Sequence, residues 1–562
     1  MTKLRSIGAA LGPEKVRSDL LPYLEKWCTQ DEDELLSAMA TALGTMAAEI
    51  GGPEQIISML PLLEQLCITE ETVVRDCAVA SLCILGKLMP LGDIESGFVP
   101  MLTRLYGGDT ADSVWFTSRM SACSLFGTAY RCESARLELR KRFLVLCKDT
   151  TPMVRRSAAR AVAGFSLAMK DAGDHEKCAE EVLPIFEHLS KDDQDSVKTL
   201  CVEQLPGIAK SLPEELQAGR FVNMCRACAE EPSWRVRRSF TLQLVELAGP
   251  DAMGASATKD VLVPLLFGLL RDTEADVRKD AIKVAKTICA EVPAEVLESE
   301  LLECVKAMVG DPELRVKVAL CDELPAIAAL LGPESATTLL LPILNMLLQD
   351  EVSDVRLRVV GKLTDIAEVV GADALVSAIP MVVIATDESW RVRMSLCEFV
   401  PLIAAYMDQA TFDKTWKKQC EDWFNDPVCQ VRLAAGKTMA EVHKTFGEPW
   451  TREFALPTIL ETYKASTNYL HRMTALSAAA QFFEAGAHAL IEEQVVTVML
   501  LPALTADRVA NVKFKAARVV SSMVGAASPG SIEQLTAALQ LLVDHSDHDV
   551  AFYSAEALAL CA

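Results

Sequence analysis

A dipeptide of valine followed by arginine or lysine recurs along the chain at nearly constant spacing. From Val197 to Val431 the steps between successive valines are 39, 41, 39, 39, 37 and 39 residues. A period near 40 residues is typical of helical repeats of the HEAT class, in which each repeat is a pair of helices. Because one pair cannot bury its apolar faces alone, successive pairs have to stack. The spacing therefore predicts an all-α fold, a curved α-solenoid.

These dipeptides define a series of anchor positions that covers the chain. Ser118 and His471 fill two gaps in the series, Leu35 extends it upstream and Val550 ends it. The series contains fourteen anchors and predicts one continuous solenoid of about 14–15 repeats over residues 1–562. The valine anchors between these are Val74, Val154, Val197, Val236, Val277, Val316, Val355, Val392, Val431 and Val512.

An acidic residue stands five positions before nine of the anchors. An aspartate in a turn tolerates non-helical backbone and can cap the helix that follows, and a second aspartate directly before the valine, at Asp276, Asp354 and Asp549, is predicted to be an N-cap. Because the acid and the following base recur once per repeat, stacked turns are expected to form a ladder of alternating charges that sets the register between neighbours. The nine acids are Asp149, Asp192, Glu231, Asp272, Asp311, Asp350, Asp387, Asp426 and Asp507.

The other half of each repeat is marked by an aliphatic residue followed by proline, ahead of a Leu-rich stretch. Proline bends a helix or sets its first turn. Each repeat is therefore predicted to consist of a first helix that is often bent at proline, a short acidic turn, and a second helix that starts near the anchor. The prolines are Pro22, Pro61, Pro100, Pro184, Pro264, Pro342, Pro380, Pro457 and Pro502.

Composition restricts the function as well as the fold. Hydrophobic residues make up 51% of the chain and aromatic residues only 6%, which favours packed helices. The net charge of −23 argues against a nucleic-acid surface, because phosphate contacts need a clustered basic face. No uninterrupted apolar run reaches the roughly 18 residues of a membrane span. Protein partners are therefore the expected ligands.

Residues that could support catalysis or bind a metal are scattered along the sequence. Their scatter favours a protein without catalytic activity, metal or cofactor. The 18 cysteines lie mostly singly in apolar helical stretches, which predicts reduced thiols and a location in the cytoplasm, or also the nucleus. Cys225 and Cys228 have the spacing of half a zinc site, but no second pair follows. His545 and His548 are interpreted as residues of a solvated turn. No nucleophile signature or phosphate-binding glycine loop is present.

Six segments at the repeat turns resemble one particular family. The sequences are EETVVRD at 70–76, WFTSR at 115–119, TPMVRR at 151–156, SWRVR at 233–237, WRVR at 390–393 and NYLHRMT at 468–474. They are similar to the scaffold (A, 65-kDa regulatory) subunit of type-2A serine/threonine protein phosphatases, and the resemblance extends over essentially the whole chain. It implies a horseshoe of fifteen HEAT repeats that acts as a monomeric scaffold within a heterodimer or heterotrimer.

The resemblance also implies which turns bind which partner. An exchangeable regulatory subunit is expected on approximately residues 1–310, and the phosphatase catalytic subunit on approximately 380–562. The regulatory-subunit candidates are Glu70, Glu71, Trp115, Phe116, Pro152, Arg155, Arg156, Trp234 and Arg235. The catalytic-subunit candidates are Trp390, Arg391, Asn468, Tyr469, Leu470, His471 and residues 509–512, among them Val509, Asn511 and Val512.

Three departures and two alternatives accompany this assignment. The family's first helix is absent before residue 4, the stretch 108–114 is longer than the family pattern, and Thr150 replaces an acid.

The tryptophans of the turns are either interface residues or staples within their helix pairs, and the resemblance favours contact. The alternative function is a nuclear-transport carrier or coat adaptor, although carriers commonly have about twenty repeats and an acidic insertion. A disguised metalloenzyme is a weaker alternative.

Overall fold

The computed structural model describes residues 3–28, 32–108, 114–213, 217–379 and 381–561. Over these ranges the chain forms helices and no strands. It divides into two compact units, Met1–Pro293 and Ala294–Ala562. In each unit, pairs of helices joined by short turns follow one another and pack against their neighbours along the chain. The predicted all-α solenoid of HEAT-type repeats is confirmed.

The second helix of every repeat begins two residues before its anchor, so that each of the fourteen anchors is the third helical residue. The eleven anchor valines are at most 2% exposed. Burying a valine contributes about 1.5–3 kcal/mol, so this position ties each second helix to the core. In the N-terminal unit these helices are Asp33–Leu43, Thr72–Leu88, Phe116–Cys123, Pro152–Asp171, Asp195–Val202, Trp234–Leu247 and Ala275–Ile288. In the C-terminal unit they are Leu314–Ser335, Ser353–Val360, Trp390–Ala405, Cys429–Trp450, Tyr469–Glu484, Ala510–Met523 and His548–Cys561.

Short helices precede or continue several of these second helices. Leu4–Leu11 lies upstream of the first anchor, and Phe126–Ala129, Leu205–Ser211 and Leu363–Val370 each follow a second helix after a turn. Two long helices contain a break at glycine, Gly332 with φ 77° and Gly447 with φ 76°. Since only glycine adopts this backbone conformation readily, these residues separate the second helix of one repeat from the first helix of the next.

The first helices of the repeats are segmented in most cases. In the N-terminal unit they are Pro13–Trp27, Pro53–Cys67, Leu91–Tyr106, Glu133–Cys147, His175–Leu189, Gln217–Ala229 and Gly254–Leu270. In the C-terminal unit they are Ala294–Val309, Ala336–Leu348, Ala372–Ala378 with Met381–Ala385, Gln409–Phe424, Thr451–Ala465, His488–Thr505 and Pro529–Gln540.

The predicted bend at proline takes the form of a single wide, π-helical turn at most of the described positions, whereas a 3-10 helix, Pro53–Met59, precedes Pro61. At Pro22 the turn spans Val16–Leu20, and the Leu21 N–H donates to the Val16 carbonyl, five residues back. A wider turn accommodates a residue that lacks an N–H and whose ring would clash with the preceding turn. The same turn stands at Asp413–Lys417, which no proline follows, so proline is not its only cause. Pro380 lies outside the described residues.

The predicted ladder of alternating charges is confirmed within both units. Asp387 shows how one rung is built. Its carboxylate accepts bonds from Nε (2.7 Å) and Nη2 (2.9 Å) of Arg356 in the preceding repeat and from the Ser389 N–H (2.8 Å) in its own turn, while its carbonyl accepts from Arg393 Nη1 (2.7 Å). Arg393 then binds Asp426. The other rungs are Arg119–Asp149, Arg155–Asp192, Lys198–Glu231, Arg237–Asp272, Lys317–Asp350 and Arg472–Asp507.

The prediction that aspartates directly before the anchors are N-caps is wrong. Asp276, Asp354 and Asp549 are the second residues of their helices, and the N-caps of the first two helices are Glu274 and Val352. A carboxylate in the first helical turn still interacts favourably with the positive end of the helix dipole. The acid five positions before the anchor closes the turn instead, because its oxygen accepts the N–H two residues later.

One stretch, 314–348, has the length and mean hydropathy of a membrane span, although charged residues interrupt its apolar sequence. It consists of two helices that meet at Gly332 and belongs to two successive repeats. Residues such as Leu320 and Leu344 are completely buried in the solenoid core. The apolar character of this stretch therefore serves packing between repeats.

We expect Asp387→Ala to destabilise its repeat by about 3 kcal/mol, because it leaves the largely buried Arg356 guanidinium uncompensated and opens the turn. Asp387→Asn keeps an oxygen for the Ser389 N–H and should have a smaller effect. Amide hydrogen exchange across Trp390–Ala405 measures both. The exposed neighbour Glu388→Ala is the control, and equal protection in Asp387→Ala and Glu388→Ala would contradict a role for the rung.

Candidate partner-binding ridge

The turn before each second helix, together with the first residues of that helix, forms a row from repeat to repeat. We call residues 70–73, 115–116, 152–156 and 234–235 the N-terminal ridge, and residues 390–391, 468–471 and 509–512 the C-terminal ridge. Each belongs to one unit of the structure. Since the anchor points into the core, the two residues that precede it start the helix at the surface.

Trp115 and Phe116 form an aromatic pair on the N-terminal ridge. Their ring centroids are 5.1 Å apart, Trp115 is 67% exposed and Phe116 is half-buried. A tryptophan that is two-thirds exposed does not staple its own helix pair. It presents a large rigid apolar surface of the kind that is common in interface hot spots.

The candidate residues in the turns at 70–73 and 152–156 differ in how accessible they are to a partner. Glu70, Glu71, Pro152 and Arg156 are exposed. Arg155 is not free, because its Nε lies 2.6 Å and its Nη2 3.0 Å from the Asp192 carboxylate. Arg155 therefore forms a rung of the ladder with Asp192, and a partner would contact the exposed residues beside it.

Two tryptophan–arginine pairs have the same geometry in the two units. The Arg235 guanidinium lies 4.8 Å from the ring centroid of Trp234, and that of Arg391 lies 4.7 Å from Trp390. In both pairs the tryptophan is half-buried and the arginine exposed. The two pairs occupy the first and second residues of their helices. Each arginine is thus held in place by a cation–π contact while its charge remains available to a partner.

The turn at residues 468–471 is closed by Asn468, the N-cap of Tyr469–Glu484. The Asn468 side chain accepts a bond of 3.0 Å from the Leu470 N–H. Asn468 and Leu470 are exposed, whereas Tyr469 and His471 are half-buried. Partial burial and the nearby Arg432 guanidinium lower the pKa of His471 below its usual 6.5. His471 is therefore neutral at pH 7.

Residues 509–512 contribute less surface than the sequence suggested. Asn511 is exposed and Val509 is half-buried, but Val512 is completely buried. The Val512 side chain is therefore a core residue and not a contact residue, as are the other anchor valines. The prediction treated residues 509–512 as one surface, although they include both exposed and core-facing side chains.

Sequence reasoning missed exposed apolar residues at the same positions of other turns. Val73 is 58% exposed, Met153 is 43% exposed and Leu314 is 39% exposed. Val73 and Met153 directly precede their anchors, and Leu314 stands two positions before its anchor. Aligning the repeats on their anchors would have identified them, because apolar residues that precede a buried anchor have no core to enter.

No group of histidine, cysteine and acidic residues in the described part of the chain is arranged to hold a metal ion. All eighteen cysteines are free thiols, and most are buried. Cys225 and Cys228 are both buried in Val222–Ala229, where desolvation raises the pKa of Cys228 to about 12. Thiols with raised pKa values carry little thiolate and are poor nucleophiles and ligands.

Comparison with known proteins identifies relatives of the chain. The PPP2R1A-like HEAT repeat family model matches residues 255–332. The A beta isoform of the human serine/threonine-protein phosphatase 2A 65 kDa regulatory subunit is 35% identical over 374 residues, 65% of this chain and 60% of the human protein. The A-type regulatory subunit of protein phosphatase PP2A from Schizosaccharomyces pombe is 38% identical over 46% of this chain and 43% of its own length.

The chain is similar to phosphatase 2A scaffold subunits. The Dictyostelium discoideum protein phosphatase 2A scaffold subunit is 42% identical over 33% of this chain and 30% of its own length. The matched regions thus span 60% or less of these relatives. Among solved structures, Kap121p bound to Pho4p has a TM-score of 0.65 at 17% identity and covers 95% of this chain and 56% of Kap121p. At that identity the likeness concerns the fold alone.

We expect Arg432→Gln to raise the pKa of His471, because it removes a positive charge that opposes protonation. A folded-state pKa below the unfolded value of about 6.5 means that the unfolded chain binds the proton more readily. His471 therefore reduces stability as the pH falls below about 6.5. NMR titration of labelled histidines measures the shift, with Arg391→Gln as the control. An unchanged His471 pKa in Arg432→Gln would contradict the coupling.

Proposed function

We propose that the chain is a non-catalytic scaffold of a serine/threonine protein phosphatase that holds other subunits on its two ridges. The observation that carries this proposal is the pair of tryptophan–arginine contacts at equivalent positions, Trp234–Arg235 and Trp390–Arg391. Neither arginine forms a rung of the ladder. The similarity to phosphatase 2A regulatory and scaffold subunits supplies the class of partner.

The proposal divides the chain between two partners. An exchangeable regulatory subunit would bind approximately residues 1–310, where the exposed Trp115 and the Trp234–Arg235 pair are the main anchors. The catalytic subunit would bind approximately residues 380–562 through Trp390, Arg391 and residues 468–471. Aromatic residues and arginine dominate the energetics of protein interfaces, whereas surrounding contacts mainly exclude water.

Catalysis would come from the partner, since the relatives are named regulatory and scaffold subunits. The proposal requires no metal or cofactor in this chain. The assembly would be a heterodimer or heterotrimer with one copy of the scaffold, located in the cytoplasm, or also in the nucleus.

The competing function is that of a nuclear-transport carrier, because Kap121p and Kap95p share the fold. Their identity to this chain is 12–17%, against 35–42% for the three phosphatase relatives. The higher identity to the phosphatase relatives favours shared partners over a shared fold alone. We therefore prefer the phosphatase scaffold.

Changing Trp234 and Arg235 together to Ala should lower the affinity for a regulatory subunit by about thirtyfold and leave the catalytic subunit bound. Titration calorimetry with each purified subunit from the same organism measures both affinities. Leu242→Ala, an exposed position further along the same helix, is the control. Equal loss of both subunits would refute the division between the halves.

Arg391→Glu should release the catalytic subunit, mainly through a faster off-rate, because it reverses the charge on the C-terminal ridge. The melting temperature should change little, since Arg391 is exposed and, among the residues that the structure describes, its guanidinium pairs with the Trp390 ring alone. Arg452→Glu, exposed on a first helix, is the charge-matched control. Intact binding with a melting temperature lowered by several degrees would make Trp390 and Arg391 structural staples instead.

A further inference from the structure

The arginine rungs of the ladder that end on an acid share one hydrogen-bonding pattern. The arginine donates from Nε to one oxygen of the next acid and from Nη2 to the other. For Arg472 and Asp507 these distances are 2.8 Å and 3.1 Å. The remaining nitrogen, Nη1, binds carbonyls of the arginine's own turn. The same two-pronged contact with an acid is made by Arg119, Arg155, Arg237, Arg356 and Arg393.

Arg432 has the same place in its repeat and lacks the acid. Its Nη1 donates to the carbonyls of Asp426 (2.8 Å) and Pro427 (3.1 Å), as in the other repeats. Its Nε donates to the Thr474 hydroxyl at 3.1 Å instead of a carboxylate. Nη2 makes no hydrogen bond and the guanidinium no ion pair with any residue that the structure describes.

The cause is a single residue in the next turn. The position five before the His471 anchor is Ser466, whereas an acid stands there in nine other repeats. The Ser466 hydroxyl still closes the turn, because it accepts a bond of 3.2 Å from the Asn468 N–H. A hydroxyl supplies only one oxygen and no charge, so no carboxylate of this turn receives Nε and Nη2 of Arg432. We call this place, between Arg432 and Ser466, the gap in the ladder.

The guanidinium at this gap is largely withdrawn from water. Arg432 is 3% exposed, and yet Nη2 is not among the fully enclosed atoms that lack a partner. A buried charge without a counter-charge is costly, and a carboxylate that reaches it gains more than it would on the open surface. Arg432 is therefore predisposed to bind an anion that approaches from outside the chain.

The gap lies on the C-terminal ridge, between two complete rungs. Arg393–Asp426 precedes it and Arg472–Asp507 follows it. Residues 468–471, which are proposed to contact the catalytic subunit, begin two residues after Ser466. Leu470 is 42% exposed there, so a partner that covers it would also exclude water from the gap. Exclusion of water strengthens any ion pair formed beneath.

We propose that an aspartate or glutamate side chain of the catalytic subunit completes the ladder by binding Arg432. The ligand is a carboxylate because the other rungs, built on the same scaffold geometry, hold a carboxylate. The inference rests on the proposed function and adds to it the chemistry of one contact. The partner would thereby occupy a place that the chain itself fills in neighbouring repeats.

Restoring the missing acid tests this inference. Ser466→Asp should supply an internal carboxylate for Arg432, raise the melting temperature, and lower the affinity for the purified catalytic subunit by about 10- to 100-fold, the effect of losing a charge-assisted hydrogen bond. Thr467→Asp adds the same charge at the exposed neighbouring position and should change the affinity less than about threefold. Surface plasmon resonance measures both affinities.

A second measurement identifies the partner's acid. Single changes of the catalytic subunit's acidic residues to Asn or Gln are tested against the wild-type chain and against Ser466→Asp. One of these changes should weaken binding to the wild type about tenfold and have little further effect with Ser466→Asp, because the two share one contact.

The outcomes separate the two proposals. A higher melting temperature with unchanged affinity in Ser466→Asp would make Arg432 purely structural and overturn the inference, while the scaffold function would stand. Equal weakening by Ser466→Asp and Thr467→Asp would also overturn it, because general repulsion would then explain the loss. If the wild-type chain fails to bind the catalytic subunit, the proposed function itself is wrong.

Discussion

In most turns one acidic side chain serves two repeats at once, and the regular part of the solenoid depends on this double role. Its carboxylate accepts the N–H two residues later and so closes its own turn, while the same two oxygens receive the guanidinium of the preceding repeat, as Asp387 does with Ser389 and Arg356. Burial opposes the ionisation of Asp387, yet these hydrogen bonds keep its pKa below the usual 3.8. The rungs are largely shielded from solvent and therefore count for more than ordinary surface pairs.

The ladder also decides which residues remain for partners. In a turn with a complete rung, the acid and the basic residue after the anchor are used internally, and the anchor valine enters the core. The two positions before the anchor combine a fixed backbone with a side chain that a partner can reach. Trp390 and Arg391 occupy these positions in one unit, and Trp234 and Arg235 do so in the other. A rigid scaffold that presents aromatic and arginine side chains at regular intervals is well suited to bind proteins.

Departures from the regular pattern indicate where a repeat has a particular role. Ser466 keeps the shape of its turn and gives up the charge, which leaves Arg432 without its usual partner. The wide turn at Asp413–Lys417 is a second departure, since the first helix keeps its bend there although no proline follows. The bend of a first helix therefore does not depend on proline alone.

The sequence by itself determined the fold class, the repeat length, the position of every second helix and the existence of the charge ladder, because all of these depend on residues that recur at a constant spacing. It also indicated the turns that form the ridges. It misjudged Val512, because a run of residues does not reveal which side chain faces the core, and it misassigned Asp276, because the start of a helix depends on backbone geometry to within one residue. The sequence shows Ser466 in place of an acid, but only the tertiary structure decided that Arg432 is buried against the Thr474 hydroxyl while Asp192 holds Arg155. The physical reason is that ion pairing in a solenoid joins residues about 35 positions apart in successive repeats, so the state of each arginine depends on a neighbour in space and not on its own segment.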